Sequence, residues 1–237
     1  MATRKPKKSS TSEAPAGFRG FGSQALPFLL ALKENNDRDW FTENKSTFLE
    51  ECDAPLRELV GQVGAALAEQ GIPMAPQARN PVFRIYRDVR FSKDKSPYKT
   101  NLGSALFRDG DKAQPGLLYI HVEPGASFVA GGIYQPDPDQ LKLIRSAIVD
   151  DPNGFAKVIK KLEKAGLAFG MGDPVVRMPK GFEDQAQHPF TDLIRSRSFV
   201  VSRPLADDDL ERRDLPEMIV RFAVDVLPLL EFFWAKL

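Results

Sequence analysis

The chain has 237 residues, 42% of them hydrophobic and 27% charged, with a net charge of +1. That is the composition of a soluble globular protein long enough to bury a core without disulfides or metals; the near-neutral balance argues against a dedicated nucleic-acid protein. Cys52 is the single cysteine, which excludes an internal disulfide and points to a reducing, cytoplasmic setting. No apolar run approaches the ~20 residues of a membrane span.

Residues 1–17 are mostly Lys, Ser, Thr, Pro and Ala with no hydrophobic period. They predict a disordered basic tail rather than a secretory signal, followed by one folded domain over 18–237. Leu26, Phe28, Leu29, Leu30 and Leu32 predict a short helix capped by Ser23. Asn36, Asp37 or Asp39 is expected to end it and cap the next, in which Trp40, Asn44 and Phe48 share a face. Trp40 is expected in the core, while Asn44 and Lys45 are free to reach toward a site. A helix over 54–70 has Leu56, Leu59, Val60, Val63 and Leu67 as its stripe, Pro55 in its first turn and Gly71 at its end. Cys52, with no histidine nearby in sequence, reads as a small buried hydrophobe.

From Pro81 the period changes to two. A strand over 81–91 would set Phe83, Ile85, Val89 and Phe91 on one face and Arg84, Tyr86, Asp88 and Arg90 on the other. Arg87 falls with the apolar set, where a charge needs a carboxylate partner. Ser92–Pro97 reads as a loop, 99–108 as a second strand and 117–134 as a β-hairpin turning at Glu123-Pro124-Gly125-Ala126. Gly131-Gly132 marks a bulge or a close approach to the backbone. Helices are expected over 136–149 and 152–165, irregular structure over 166–205 and a final helix over 208–236, kinked or interrupted at Pro228.

The chemistry concentrates in one stretch. From Arg84 to Lys99 there are six cations and two carboxylates, so this segment carries +4 in a chain of +1. Arg84, Arg87, Arg90, Lys93, Lys95 and Lys99 are candidate anion ligands, with Tyr86 and Tyr98 as hydroxyl donors and stacking rings. Tyr119, His121 and Glu123 alternate on a neighbouring strand; Asp88, His121 and Glu123 are the candidates for proton transfer. A second basic stretch holds Arg177, Lys180, Arg195, Arg197 and Arg203, and it is expected to fold over the sheet and close the pocket, adding Lys180 and Arg195 to the ligand set. The competing reading of these residues is a solvated ion-pair network, with His121 as a hydrogen-bonded structural residue. Asp88, His121, Glu123 and His188 lack the spacing of a metal site, so no metal is expected. No P-loop, GxGxxG or GxSxG occurs, so no cofactor is identified.

Several blocks resemble a known family. They are Arg84-x-x-Arg87-Asp88-x-Arg90-Phe91 with Asp94-Lys95-x-x-Tyr98, and Asn35-Asn36-x-Arg38-x-Trp40-Phe41-x-x-Asn44-Lys45. Glu123-Pro124-Gly125, Gly131-Gly132, Pro179-Lys180-Gly181-Phe182 and His188-Pro189 follow in order. Together they resemble domain of unknown function 2461, a family of bacterial and fungal proteins. The resemblance implies a single domain and carries no established activity.

The expected architecture is therefore a single α+β domain: a mainly antiparallel sheet with helices packed on one face and a polar, basic site on the other. The expected function is binding of a small phosphorylated or carboxylated ligand, by an enzyme or by a binding protein. A nucleic-acid-binding module using the Arg/Tyr-rich face and a protein-interaction domain without catalysis are the alternatives. A membrane partner is not expected.

Overall fold

The structure, a computed structural model, describes residues 17–170 and 174–237. The tail expected over 1–17 therefore lies outside the described residues except for Gly17. Ala25–Glu34 (α1) starts after Gln24, without the side-chain cap expected from Ser23. Asp37 does cap Arg38–Glu43 (α2), its carboxylate accepting from the backbone N–H groups of Asp39 and Trp40, an arrangement worth about 1 kcal/mol. The helix expected to run on through Phe48 breaks at Asn44, whose side-chain amide donates to the Trp40 carbonyl instead of reaching a site. A short turn, Lys45–Thr47 (α3), and a π-helix, Phe48–Asp53, lead into Ala54–Glu69 (α4). Trp40 packs on Phe28 with ring centroids 5.6 Å apart. Cys52 is fully buried; burial, then Glu51 and Asp53, push its thiol up to about 12, so it fills the core and is no nucleophile.

Five strands form one antiparallel sheet in sequence order: Met74–Pro76 (β1), Leu102–Arg108 (β2), Leu117–Val122 (β3), Phe128–Ile133 (β4) and Phe199–Pro204 (β5). Alternation splits the sheet cleanly. Leu102, Leu106, Leu118, Ile120, Val122, Val129 and Val201 are buried on one face, where α4 meets β1 and β2 and the long helix Leu215–Trp234 (α9) meets β4. Gly131 is what lets α9 approach, since a Cβ there would sit 2.9 Å from Val226. Gly132 has φ +137° against the Phe199 carbonyl. The register runs unbroken from β3 through β5, so this glycine pair marks close approach and no bulge.

Pro138–Asp150 (α5) begins with a capping box from Asp137 and Gln140, and Pro152–Lys164 (α6) follows it. The stretch expected to be irregular holds a 3-10 turn at Glu183–Gln187, a short helix Thr191–Arg195 (α7) and β5. The final helix is in fact two, Asp207–Leu210 (α8) and α9, and α9 continues through Pro228.

The strand expected over 81–91 does not form. Residues 81–100 make an irregular arm with one isolated bridge, Tyr86 to Tyr98. Phe91 is 96% exposed and Phe83 is exposed as well, so the apolar face assigned to them does not exist. Local side-chain bonds explain the failure. Asp94 accepts from the backbone N–H and hydroxyl of Ser96, and Asp88 accepts from the Arg90 N–H; such turns compete with a ladder for the same backbone. The arm is anchored by the buried Val82, Ile85 and Tyr98. Tyr98 stacks on Phe41 at 4.1 Å, and the Asn36 side chain exchanges two hydrogen bonds with the Tyr98 backbone, at 3.0 and 3.1 Å.

Candidate functional site

The face of the sheet turned away from α4 and α9 is lined in register by Gly103, Ala105 and Phe107 of β2, Leu117, Tyr119 and His121 of β3, and Phe128 and Ala130 of β4. Small residues in the middle of that set leave a hollow. A Cβ on Gly103 would lie 2.9 Å from the Tyr119 hydroxyl and 3.3 Å from Phe83. The arm leans over this hollow, its Phe83 amide donating to the Gly103 carbonyl at 2.8 Å. The result is a cavity of about 650 Å³ with aromatic walls from Phe83, Tyr119, Phe128 and Tyr134. Arg84, Lys99, Asn101 and His121 supply its polar groups.

His121 is the centre of a hydrogen-bonded row. Its Nε2 is 3.0 Å from Glu123 Oε2 and its Nδ1 is 3.0 Å from the Tyr119 hydroxyl. A carboxylate only accepts, so Nε2 carries a proton, and in that tautomer of the imidazole Nδ1 accepts from the Tyr119 O–H. Asn101 Nδ2 stands 3.4 Å from the same Nδ1. Phe128 stacks on the imidazole at 4.7 Å, which fixes the ring plane. Burial, then the Glu123 carboxylate, raise the Tyr119 phenol above its ordinary value and keep it protonated at neutral pH.

Two cations face the same space. Lys99 Nζ lies 5.7 Å from the Phe83 ring centroid; burial, then the charge of Arg84, hold its ammonium below the ordinary lysine range. Among the described residues neither Arg84 nor Lys99 has a carboxylate partner. A desolvated cation beside another cation, with no carboxylate within ion-pair distance of either among the described residues, attracts an anion.

The other sequence candidates divide. Arg87 does have the carboxylate partner expected for it: it pairs with Asp94 and donates to the Ser96 carbonyl at 3.3 Å. It braces the arm and lines a smaller neighbouring cleft with Asn36, Tyr98 and Lys99. Asp88 and Arg90 bind each other at 2.7 Å on the exposed tip of the arm, outside the cavity. Lys93 and Lys95 are exposed there too, Lys95 donating to the Val89 carbonyl. Tyr86 is half exposed above the buried Tyr98.

The second basic stretch does not close the cavity. Arg195 donates to the Val175 and Val176 carbonyls, and Arg203 pairs with Asp225. Lys180 is exposed elsewhere, and from this stretch only Val200 reaches the cavity. The sequence placed Tyr119 on the polar strand face without a role of its own, and Asn101 was not among the expected site residues. The signal was present, because Tyr119, His121 and Glu123 are spaced two apart on one strand face.

Among the described residues no group of three His, Cys, Asp or Glu is placed to hold a metal ion, and no helix is long and apolar enough to cross a membrane. No curated protein and no solved structure matches the chain. The family model for Conserved hypothetical protein (DUF2461) matches residues 24–232, nearly the whole of the described chain, and the protein belongs to that family.

Proposed function

We propose that the sheet cavity binds a small organic anion and that Tyr119, His121 and Glu123 handle a proton on it. The ligand's apolar body lies over Gly103, Ala105 and Ala130 between the aromatic walls, and its carboxylate or phosphate faces Arg84 and Lys99. The observation that carries this reading is the pair of cations without a carboxylate opening onto the same cavity as the Tyr119–His121–Glu123 row. In that row the Tyr119 oxygen takes a proton from the ligand while its own passes to His121 Nδ1, and Glu123 stabilises the imidazolium that forms.

The test is a thermal-shift screen of aromatic and alkyl carboxylates and phosphates on wild type, Arg84→Ala and Lys99→Ala. A ligand held at a hundred times its Kd adds about 2.7 kcal/mol, a shift of several degrees for a chain of this size. Hits that stabilise wild type and both variants equally would remove the reading.

One feature supports a second reading, nucleic-acid binding. Phe91 projects from the arm with the Arg90 guanidinium 5.9 Å from its ring centroid, beside Lys93 and Lys95. An exposed ring among cations suits a stacked base next to its phosphates. Single-stranded oligonucleotide binding that falls steeply with salt and is lost in Phe91→Ala would favour it over the first.

A further inference from the structure

A second cleft, of about 600 Å³, opens beside the start of β5 and shares no lining residue with the sheet cavity. Three arginines from three parts of the chain line it: Arg145 of α5, Arg177, and Arg197 just before β5. Arg145 is only 9% exposed. It sits four residues after Leu141, on the side of α5 that Ile144 and Ile148 bury. Its Nε donates to the Ile194 carbonyl at 2.7 Å and one Nη donates to the Ser196 carbonyl at 3.2 Å. Those carbonyls fix the guanidinium from behind and satisfy two of its five N–H groups; they do not neutralise its charge.

Among the described residues none of Arg145, Arg177 and Arg197 has a carboxylate partner. Arginines serving only to tie loops down look different here: Arg195 and Arg203, from the same region, both reach aspartates. Burial and the nearby charge of Arg197 destabilise the Arg145 cation, though arginine stays protonated throughout. A buried cation next to two more, with no counter-charge paired to them among the described residues, is costly by itself, and an anion relieves the cost.

The geometry points to a second ligand site, in which Arg145, Arg177 and Arg197 hold the phosphate group of a small organic phosphate ester. Guanidinium forks match phosphate oxygens two at a time, and all three cations here are arginine rather than lysine. Three forks approaching from three chain segments suit a tetrahedral dianion better than a planar, singly charged carboxylate. The cleft is far larger than a phosphate ion, and Leu141 and Met178 offer apolar surface for an organic body. This site is independent of the proton-handling cavity.

Phenyl phosphate, inorganic phosphate and benzoate at matched ionic strength provide the test, read by melting temperature and by 31P line broadening. In Arg84→Ala/Lys99→Ala, where the sheet cavity is disabled, phenyl phosphate is expected to raise the melting temperature by several degrees, inorganic phosphate by less and benzoate not at all. In that background the shift and the broadening vanish when Arg177→Ala/Arg197→Ala is added; both side chains are exposed and form no ion pair among the described residues. Binding of phenyl phosphate that is absent from Arg84→Ala/Lys99→Ala, or that is unchanged there when Arg177→Ala/Arg197→Ala is added, overturns the proposal. Stabilisation of Arg84→Ala/Lys99→Ala by benzoate equal to that by phenyl phosphate overturns the phosphate assignment. Arg145→Ala is avoided because it also releases the carbonyls of Ile194 and Ser196.

Discussion

The hydroxyl of Tyr119 lies 3.0 Å from Nδ1 of His121, two residues further along the same strand. Strand geometry alone puts residues i and i+2 on one face, so the row Tyr119–His121–Glu123 needs no loop to assemble it. Tyr119→Phe keeps the ring between Phe83 and Phe128 and removes only the hydroxyl. Nδ1 is then left with the longer approach of Asn101, and the loss of one partly buried bond is expected to cost about 1 kcal/mol in urea unfolding. Ultraviolet titration gives a second readout. The folded phenol ionises above the ordinary value of 10.0, and Glu123→Gln brings it down by removing the second cause of the shift. Between the two values the unfolded chain is ionised and the folded one is not, so stability falls as pH rises past that of a free tyrosine. Tyr119→Phe flattens that part of the profile.

Gly103 keeps the cavity open. Gly103→Ala directs a methyl group at the Tyr119 hydroxyl and the Phe83 ring. Its backbone does not lie in the left-handed region, so the strand itself tolerates alanine. The expected loss is about 1–3 kcal/mol from overpacking, with unchanged far-ultraviolet circular dichroism and no detectable binding of any ligand the screen identifies. Binding that survives the substitution would place the ligand elsewhere.

Gly132 is a harsher case. Its φ of +137° and its contact with the Phe199 carbonyl leave no room for a side chain. Gly132→Ala is expected to cost about 3 kcal/mol or more and to separate β5 from the sheet, which would appear as early exchange of the β5 amides.

The helices and the hairpin were legible because each rests on a period that burial enforces: Leu56 to Leu67 at helical spacing, Leu118 to Val122 at two. The arm was not, because its own period of two was an accident of sequence. Asp88 and Asp94 fold the backbone locally, and Ile85 is buried while Phe83 and Phe91 are exposed. β5 was hidden for the opposite reason: Phe199, Val200 and Val201 are a short apolar run enclosed by arginines and a proline, and only pairing with β4 makes them a strand. The cation cluster pointed to the right region, yet only Arg84 and Lys99 of its six cations line the sheet cavity. Charge counting along a chain cannot tell which side chains turn toward a cavity and which, like Arg90, close on a neighbouring aspartate. Arg145 left a readable trace, a charge on the buried stripe of α5, since such a position demands a reason.

Lys99 makes anion affinity depend on pH in a direction that can be stated in advance. Only its protonated form attracts the ligand, and burial with Arg84 holds its pKa below the ordinary 10.5. Affinity should be constant near neutrality and fall as pH rises through that lowered value, before an exposed lysine would deprotonate. The bound anion favours the ammonium, so binding on the alkaline side takes up a proton, measurable by calorimetry in buffers of different ionisation enthalpy. Lys99→Arg stays charged and should abolish the decline.

Asp94 tests whether the arm must be held for the site to work. Ser96 through two hydrogen bonds, then Arg87, keep its carboxyl well below the usual carboxylate range. A depressed folded value means that the stabilisation is present above the unfolded value of 3.8 and disappears as pH falls through the folded one. The Ser96 amide, which donates to Asp94 at 2.9 Å, should therefore keep its chemical shift down to unusually acid pH in an NMR titration. Asp94→Ala breaks the Arg87 brace without touching Arg84 or Lys99. The anchors Val82, Ile85 and Tyr98 remain, so the melting temperature should hardly change, while exchange at the Arg87 and Ser96 amides quickens. Because Arg84 and Lys99 ride on this arm, the loosened variant should bind the cavity's anion several-fold more weakly with every contacting residue still present. An affinity equal to wild type would mean that the two cations are positioned by β2 alone and that the arm is only a cover.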